Sequence, residues 1–166
     1  MEDAGRVRRG HFVEGLSGAQ FAQLGAVDRL RASRTGDERQ PFGDGDARVL
    51  AAIDPANPYG ALLAWPEGLA SGDSRPRRVP GAWVILVGGV PVLYASSNAR
   101  HVLTLADAAT DTRGALPVAF RALHRLPRGP RPRLVTVETI DEVSARESPH
   151  RAQRWRRPAS SATTAA

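Results

Sequence analysis

The residue types that most often carry chemistry are sparse in this chain, and their spacing excludes more than it supports. A nucleotide-binding P-loop needs a lysine to reach the phosphates. All 23 basic residues are arginine, so that site is excluded. Cysteine is absent, which removes disulfides and thiolate metal sites. His11, His101, His124 and His150 never fall three or four residues apart, so none forms a zinc motif. Asp141 and Glu142 open an acidic run but lack the rest of a motor-type acidic box, and they read as polar surface at a strand end. Gly15 to Ala19 falls short of a nucleophile elbow, because Ala19 stands where glycine is required and no strong strand precedes it. Asp54 precedes Pro55, where an aspartate caps a turn through its own backbone more often than it acts as a catalytic carboxylate. No position is given a catalytic or metal-binding role.

What remains is arginine. The chain of 166 residues carries a formal net charge of +6. Arg6, Arg8 and Arg9, with His11, make one basic cluster, and Arg75, Arg77 and Arg78 make a second. Arginine also outnumbers acid over 101–133 and in the tail 151–166, whereas 41–70 is acidic. Basic patches fit a polyanionic partner, although the abundance of Ala, Gly, Arg and Pro also has the look of GC-rich coding. Guanidinium forks pair with phosphate oxygens and position a protein on nucleic acid without reading sequence. The bland alternative for the first cluster is a solvated hairpin edge that blocks unwanted strand pairing. For the second it is a solvated Pro/Gly loop. Trp65 and Trp83 are expected in a β core. Tyr59, in a turn, is the better candidate for stacking on a base.

The elements that must position these residues follow from pattern. Residues 6–9 and 11–14 read as short strands about a glycine turn, the wing of a winged-helix domain whose helices lie upstream. Such a pair needs other elements to lie on. Residues 24–33 read as a helix, and the Gly-rich stretch 34–46 as a linker. Strands are expected at 48–53 and 61–65 about a turn in which Pro55 and Pro58 fix φ. The clearest element is a hairpin, Trp83 to Val87 and Val90 to Tyr94 about Gly88 and Gly89. Pro91 predicts an edge or unpaired position. A third strand is expected at 101–105, a helix at 116–126, a strand at 134–140, and a short helix from Ser148 and Pro149. The fold class is α+β: a partial winged-helix wing, then a mainly antiparallel, β-rich, barrel-like module with one or two helices. The expected organisation is 1–33 winged-helix remnant, 34–46 linker, 47–150 β-rich module and 151–166 disordered basic tail. No apolar run is long enough to span a membrane and the charged N-terminus is not a signal peptide, so a cytoplasmic location is the default.

Three strings, in order, resemble one family. They are Gly5 to Leu16 with Ala19 to Ala22 and Gly25 to Arg31, then Ala52 to Gly60 with Trp65 and Pro66, then Gly81 to Tyr94. Together they resemble the C-terminal end of actinobacterial large-helicase-related (Lhr) proteins, over about residues 1–150. The resemblance implies an ATP-dependent DEAD/DEAH-box motor upstream of this chain, with ATP and magnesium belonging to that motor and no cofactor here. It implies winged-helix and β-barrel-like elements, and a C-terminal region similar to winged-helix DNA glycosylases. Two departures stand out. Met1 falls within what would be a helix of the preceding domain, and after Pro149 the chain runs into RWRRPASSATTAA, as a shifted frame or decayed end would.

The leading expectation is an accessory module of a helicase that binds nucleic acid, DNA or an RNA–DNA hybrid, or that makes assembly contacts. Its partners would be the upstream helicase domains and, as an open alternative, further copies of itself. The second is a glycosylase-like repair module, which would need a carboxylate or amide in a base-accepting pocket. Asp54 and Asn57 are the turn residues to test. The third is a truncated gene product without function.

Overall fold

The Gly88–Gly89 turn sets the centre of the fold. Both glycines have positive φ, 60° and 87°, which suits the tight turn of a twisted hairpin. The computed structural model describes residues 7–15, 17–33, 39–66, 74–96, 99–107, 109–126 and 136–150. Its strands are β1 (Val7–Gly10), β2 (Gln20–Gln23), β3 (Ala47–Ala51), β4 (Trp83–Val87), β5 (Val90–Ala95), β6 (His101–Thr104), β7 (Thr139–Ile140) and β8 (Val143–Ser144). The helices are α1 (Ala26–Ser33) and α2 (Ala115–Ala122), and α2 runs on into a 3-10 turn, Leu123–Arg125. The architecture is mixed α+β and mostly antiparallel.

Strands β3 to β8 form one six-stranded sheet in sequence order. It is open rather than closed into a barrel, which corrects the barrel-like expectation. Every pairing is antiparallel except β6 with β7, which is parallel and therefore requires the crossover that carries α2.

The β4–β5 hairpin is buried on both faces, which explains why its sequence is continuously apolar rather than alternating. On one side Ile85, Val87, Leu93, Ala95 and Val102 join Leu116, Val118, Ala119 and Phe120 of α2 in the main core. On the other, Tyr94, Leu103 and Leu105 pack with Ala52, Ala82 and Trp65. Pro91 lies in an interior strand rather than at an edge, at a position that β6 leaves unpaired, the other placement expected from its missing N–H. The sheet accommodates it in two ways. The β4–β5 register shifts between Ile85 and Leu86, and β6 pairs only from Leu93 onward. The shift also turns both Val92 and Leu93 toward the helix-side core.

Helix α2 starts without a side-chain cap at Gly114, but the Asp111 carboxylate accepts from the amides of Ala115 and Leu116 at 2.6 and 2.8 Å. Pro117 sits in the first turn, where its missing N–H costs nothing. Within the expected linker, residues 40–46 are fastened along the helix, to Arg113 before its start and to Arg121 in its last turn. Phe42 N–H donates to the Arg113 carbonyl, Arg113 Nε donates to the Gln40 carbonyl, and the Arg113 guanidinium lies 3.9 Å over the Phe42 ring. Asp44 pairs with Arg121 at 2.8 Å.

The N-terminal strands differ from expectation in partner. β1 pairs with β2 across residues 11–19, not with 11–14. The reason is Gln20: its side-chain oxygen accepts from the amides of Phe12 and Val13, and its nitrogen donates to the Val13 carbonyl. One side chain thus takes the backbone groups that a strand at 11–14 would have offered. The strand expected at 61–65 is a turn, with an isolated bridge between Tyr59 and Leu63. Of the strand expected at 134–140, residues 136–138 are coil and only 139–140 pair, while 127–135 lie outside the described residues, as does the tail 151–166. The short helix expected after Ser148 begins as a 3-10 turn at Pro149 and His150. No helix of the described residues is long and apolar enough to cross a membrane.

Two substitutions test this packing. Leu116 is 1 % exposed between α2 and the sheet, so Leu116→Ala should destabilise by about 2–5 kcal/mol in denaturant unfolding. A Cβ on Gly60, whose φ is +74°, would fall 2.3 Å from the Trp65 indole nitrogen. Gly60→Ala should therefore cost about 1–3 kcal/mol and alter Trp65 emission.

Candidate nucleic-acid interface

The strand pair that the sequence reading takes for a wing is here the β1–β2 ribbon. Arg8 and Arg9 are exposed on β1, opposite Ala22 and Phe21 of β2. Adjacent strand residues project to opposite faces, so the two guanidiniums flank the ribbon. His11 is exposed just beyond Gly10. Neither arginine has an acidic partner among the described residues. Arg6 lies outside those residues.

The second cluster divides by geometry. Residues 74–79 run without regular structure past the edge of the 53–59 turn. The Arg78 guanidinium donates to four carbonyls, those of Asn57 at 2.6 Å, Ile53 at 3.1 Å, and Tyr59 and Asp54 at 3.3 Å. It clasps that turn and has little donor capacity left. Arg75 and Arg77 are exposed and line a groove of about 560 Å³ with Ser74, Tyr94, Ser96, His101, Leu103, Thr139 and Glu142.

Strand pairing assembles the rest of the groove. Tyr94 is in register with Leu103, and parallel pairing sets His101 beside Thr139. The His101 Nδ1 lies 2.9 Å from the Thr139 hydroxyl. The Tyr94 hydroxyl donates to the Arg77 carbonyl at 3.1 Å. Burial pushes the Tyr94 phenol above its ordinary pKa, against the opposing effects of that hydrogen bond and of the Arg77 charge. Glu142 accepts from the Ser74 amide at 3.0 Å, and its bonds from Ser74 hold its carboxyl below the ordinary glutamate range.

Asp141 and Glu142 form the turn between β7 and β8, with φ of 49° and 67°. Left-handed backbone in non-glycine residues costs on the order of 1–3 kcal/mol each. Asp141 offsets part of this by accepting from the Thr104 amide at 2.7 Å and hydroxyl at 2.9 Å. The polar strand end expected here is thus a fastening between β6 and the β7–β8 turn.

The residues named for a base-accepting pocket are committed to the backbone. The Asp54 carboxylate accepts from the Ala56 amide, which is the turn-capping role expected of it. Asn57 is 1 % exposed; its nitrogen donates to the Ala52 carbonyl and its oxygen accepts from the Tyr59 amide. Tyr59, the better candidate for stacking on a base, already meets another ring. It is half-buried and stacks on Trp65 with ring centres 6.1 Å apart, and burial raises its phenol pKa. Trp65 in turn meets Tyr94 edge-on at 5.9 Å, so it fills the β core as expected, and Trp83 packs against the helix-side core. Among the described residues no cluster of His, Asp and Glu could hold a metal ion. Ser96, His101, Thr139 and Glu142 were invisible to sequence reasoning as one site, because only the parallel crossover brings Thr139 and Glu142 to Ser96 and His101.

The family model for the winged-helix domain of large helicase-related protein matches residues 1–42, the stretch that holds the β1–β2 ribbon and α1. An Lhr helicase/probable uracil glycosylase of Mycolicibacterium smegmatis is 48% identical over 121 residues, 70% of this chain and 8% of the relative. An Lhr helicase/uracil glycosylase of Escherichia coli is 38% identical over 150 residues, 90% of this chain and 9% of the relative. The chain therefore spans less than a tenth of the length of these curated relatives. With the winged-helix match at the ribbon and two such relatives along most of its length, this chain belongs to the large-helicase-related (Lhr) family.

Proposed function

We propose that this chain is a C-terminal part of an Lhr helicase and serves as an accessory nucleic-acid-binding module for a motor carried elsewhere in such proteins. The observation that carries the reading is the ribbon of the winged-helix region, with Arg8 and Arg9 exposed on its two faces and free of acidic partners among the described residues. A narrow ribbon flanked by guanidiniums can lie along a phosphate backbone and pair on both sides. Each pairing replaces condensed counterions and orients the duplex without reading bases. His11, just beyond the end of the same strand, extends the contact line, and Arg6 lies outside the described residues. The proposed partners are DNA or an RNA–DNA hybrid, together with the rest of an Lhr polypeptide. ATP and magnesium would belong to that motor, since a chain without lysine has no P-loop lysine to offer.

The relatives' names also carry uracil glycosylase. For this chain a repair role is the lesser reading, because Asp54 and Asn57 spend their side chains on their own turn. Measured excision of uracil by the unmutated chain would raise it above the binding role.

The wing reading predicts a salt signature. Arg8→Ala with Arg9→Ala should flatten the slope of log K against log salt for duplex DNA by about 2, one phosphate contact per arginine. An unchanged slope would remove the wing from the interface. Arg78→Ala should behave differently. It leaves the slope in place but lowers stability by about 1–3 kcal/mol, because four carbonyls of the 53–59 turn each lose a donor.

A further inference from the structure

We propose that the groove between residues 74–77 and the β5–β6–β7 surface binds a nucleotide phosphate, in a site separate from the wing. Three observations on the groove point to this ligand.

The first is its charge. Arg75 and Arg77 are two residues apart in a run without regular structure and both line the groove, whereas Arg78 turns away to clasp the 53–59 turn. Two guanidiniums without ion-pair partners among the described residues match a phosphomonoester of about −1.5 to −2 charge better than a single carboxylate. Glu142, the one acid among the described lining residues, accepts from the Ser74 amide.

The second is preorganisation. The arginine run is held at both ends: Glu142 binds the Ser74 amide and Tyr94 donates to the Arg77 carbonyl. The Glu142 anchor is itself in a strained turn fixed by Asp141 on Thr104. Both guanidiniums therefore extend from a fixed backbone.

The third is size and composition. A volume of about 560 Å³ falls within the range of roughly 300–1,000 Å³ usual for small-molecule sites. Tyr94 and Leu103 supply apolar lining for a base, while Ser96, Thr139 and His101 supply hydroxyl and ring-nitrogen groups for a sugar. Free nucleotides and the phosphorylated end of a strand share this chemistry.

The test is amide-resolved NMR titration of the full chain with thymidine 5′-monophosphate, thymidine and inorganic phosphate. The monophosphate should shift the amides of Arg75, Arg77, Ser96, His101 and Thr139 saturably, and thymidine or phosphate alone should bind at least tenfold more weakly. The double change Arg75→Gln and Arg77→Gln keeps the side-chain stems and should weaken the monophosphate tenfold or more, while Arg8→Ala with Arg9→Ala should leave it unaltered. A 5′-phosphorylated single strand displacing the monophosphate more effectively than its 5′-hydroxyl counterpart would assign the site to strand ends. Equal displacement would assign it to the free nucleotide. Absence of shifts at the groove, an affinity untouched by the double change, or phosphate binding as tightly as the monophosphate would overturn the proposal. None of these outcomes bears on the wing, whose own failure would be read from the duplex salt slope.

Discussion

The β4–β5 hairpin is apolar on both faces, and the described elements from β3 to β8 are arranged around keeping water from both. Val84 to Val87 and Val92 to Ala95 are buried throughout. Fully burying one such side chain is worth about 1.5–3 kcal/mol, so a sheet with one bare face would forfeit much of its stability. α2 covers one side. The connection from β3 to β4, which brings Ala52, Trp65 and Ala82, covers the other. That second cover sets the functional geometry, because the same connection carries Arg75, Arg77 and Arg78 past Tyr94.

A covering loop has no ladder to satisfy its backbone, and here polar side chains do that work. Arg78 and Asn57 close the 53–59 turn, Asp111 supplies the acceptor at the start of α2, and Asp141 fastens β6 to the β7–β8 turn. Each is a residue type that sequence reading assigns to chemistry or to solvent. Each instead substitutes for a missing backbone partner, and a buried polar group left without one costs about 1–3 kcal/mol. Arg75 and Arg77, on the same loop, are not so occupied, which is why they remain available to an anion.

The N-terminal region follows a different logic. Phe21, Leu24 and Leu30 are 58%, 57% and 49% exposed, and within the described residues α1 half-buries only Ala26 and Val27. The ribbon and helix have little core of their own. The ribbon's geometry comes instead from four paired positions and the Gln20 amide. Long polar side chains on such a ribbon project freely into solvent, which suits electrostatic contact with an extended polyanion.

Local pattern alone determined the elements whose signals are short-range. The run Trp83 to Tyr94 about Gly88 and Gly89 had to be a hairpin, because two β-favouring strands and a turn tolerant of positive φ leave few alternatives. Leu116 and Phe120 marked a helix by their spacing, and Asp54 before Pro55 marked a capped turn. The absence of lysine ruled out a P-loop lysine without any structure. Tertiary structure decided whatever depended on distant partners. Residues 11–14 had the composition of a strand, yet Gln20 occupies their backbone groups. Tyr59 had the position of an exposed stacking residue, yet Gly60 lets Trp65 close over it. The three arginines at 75, 77 and 78 are equivalent as sequence. They separate only because four carbonyls some twenty residues upstream converge on one of them, and because a parallel crossover brings Thr139 and Glu142 beside His101 in the groove that the other two line.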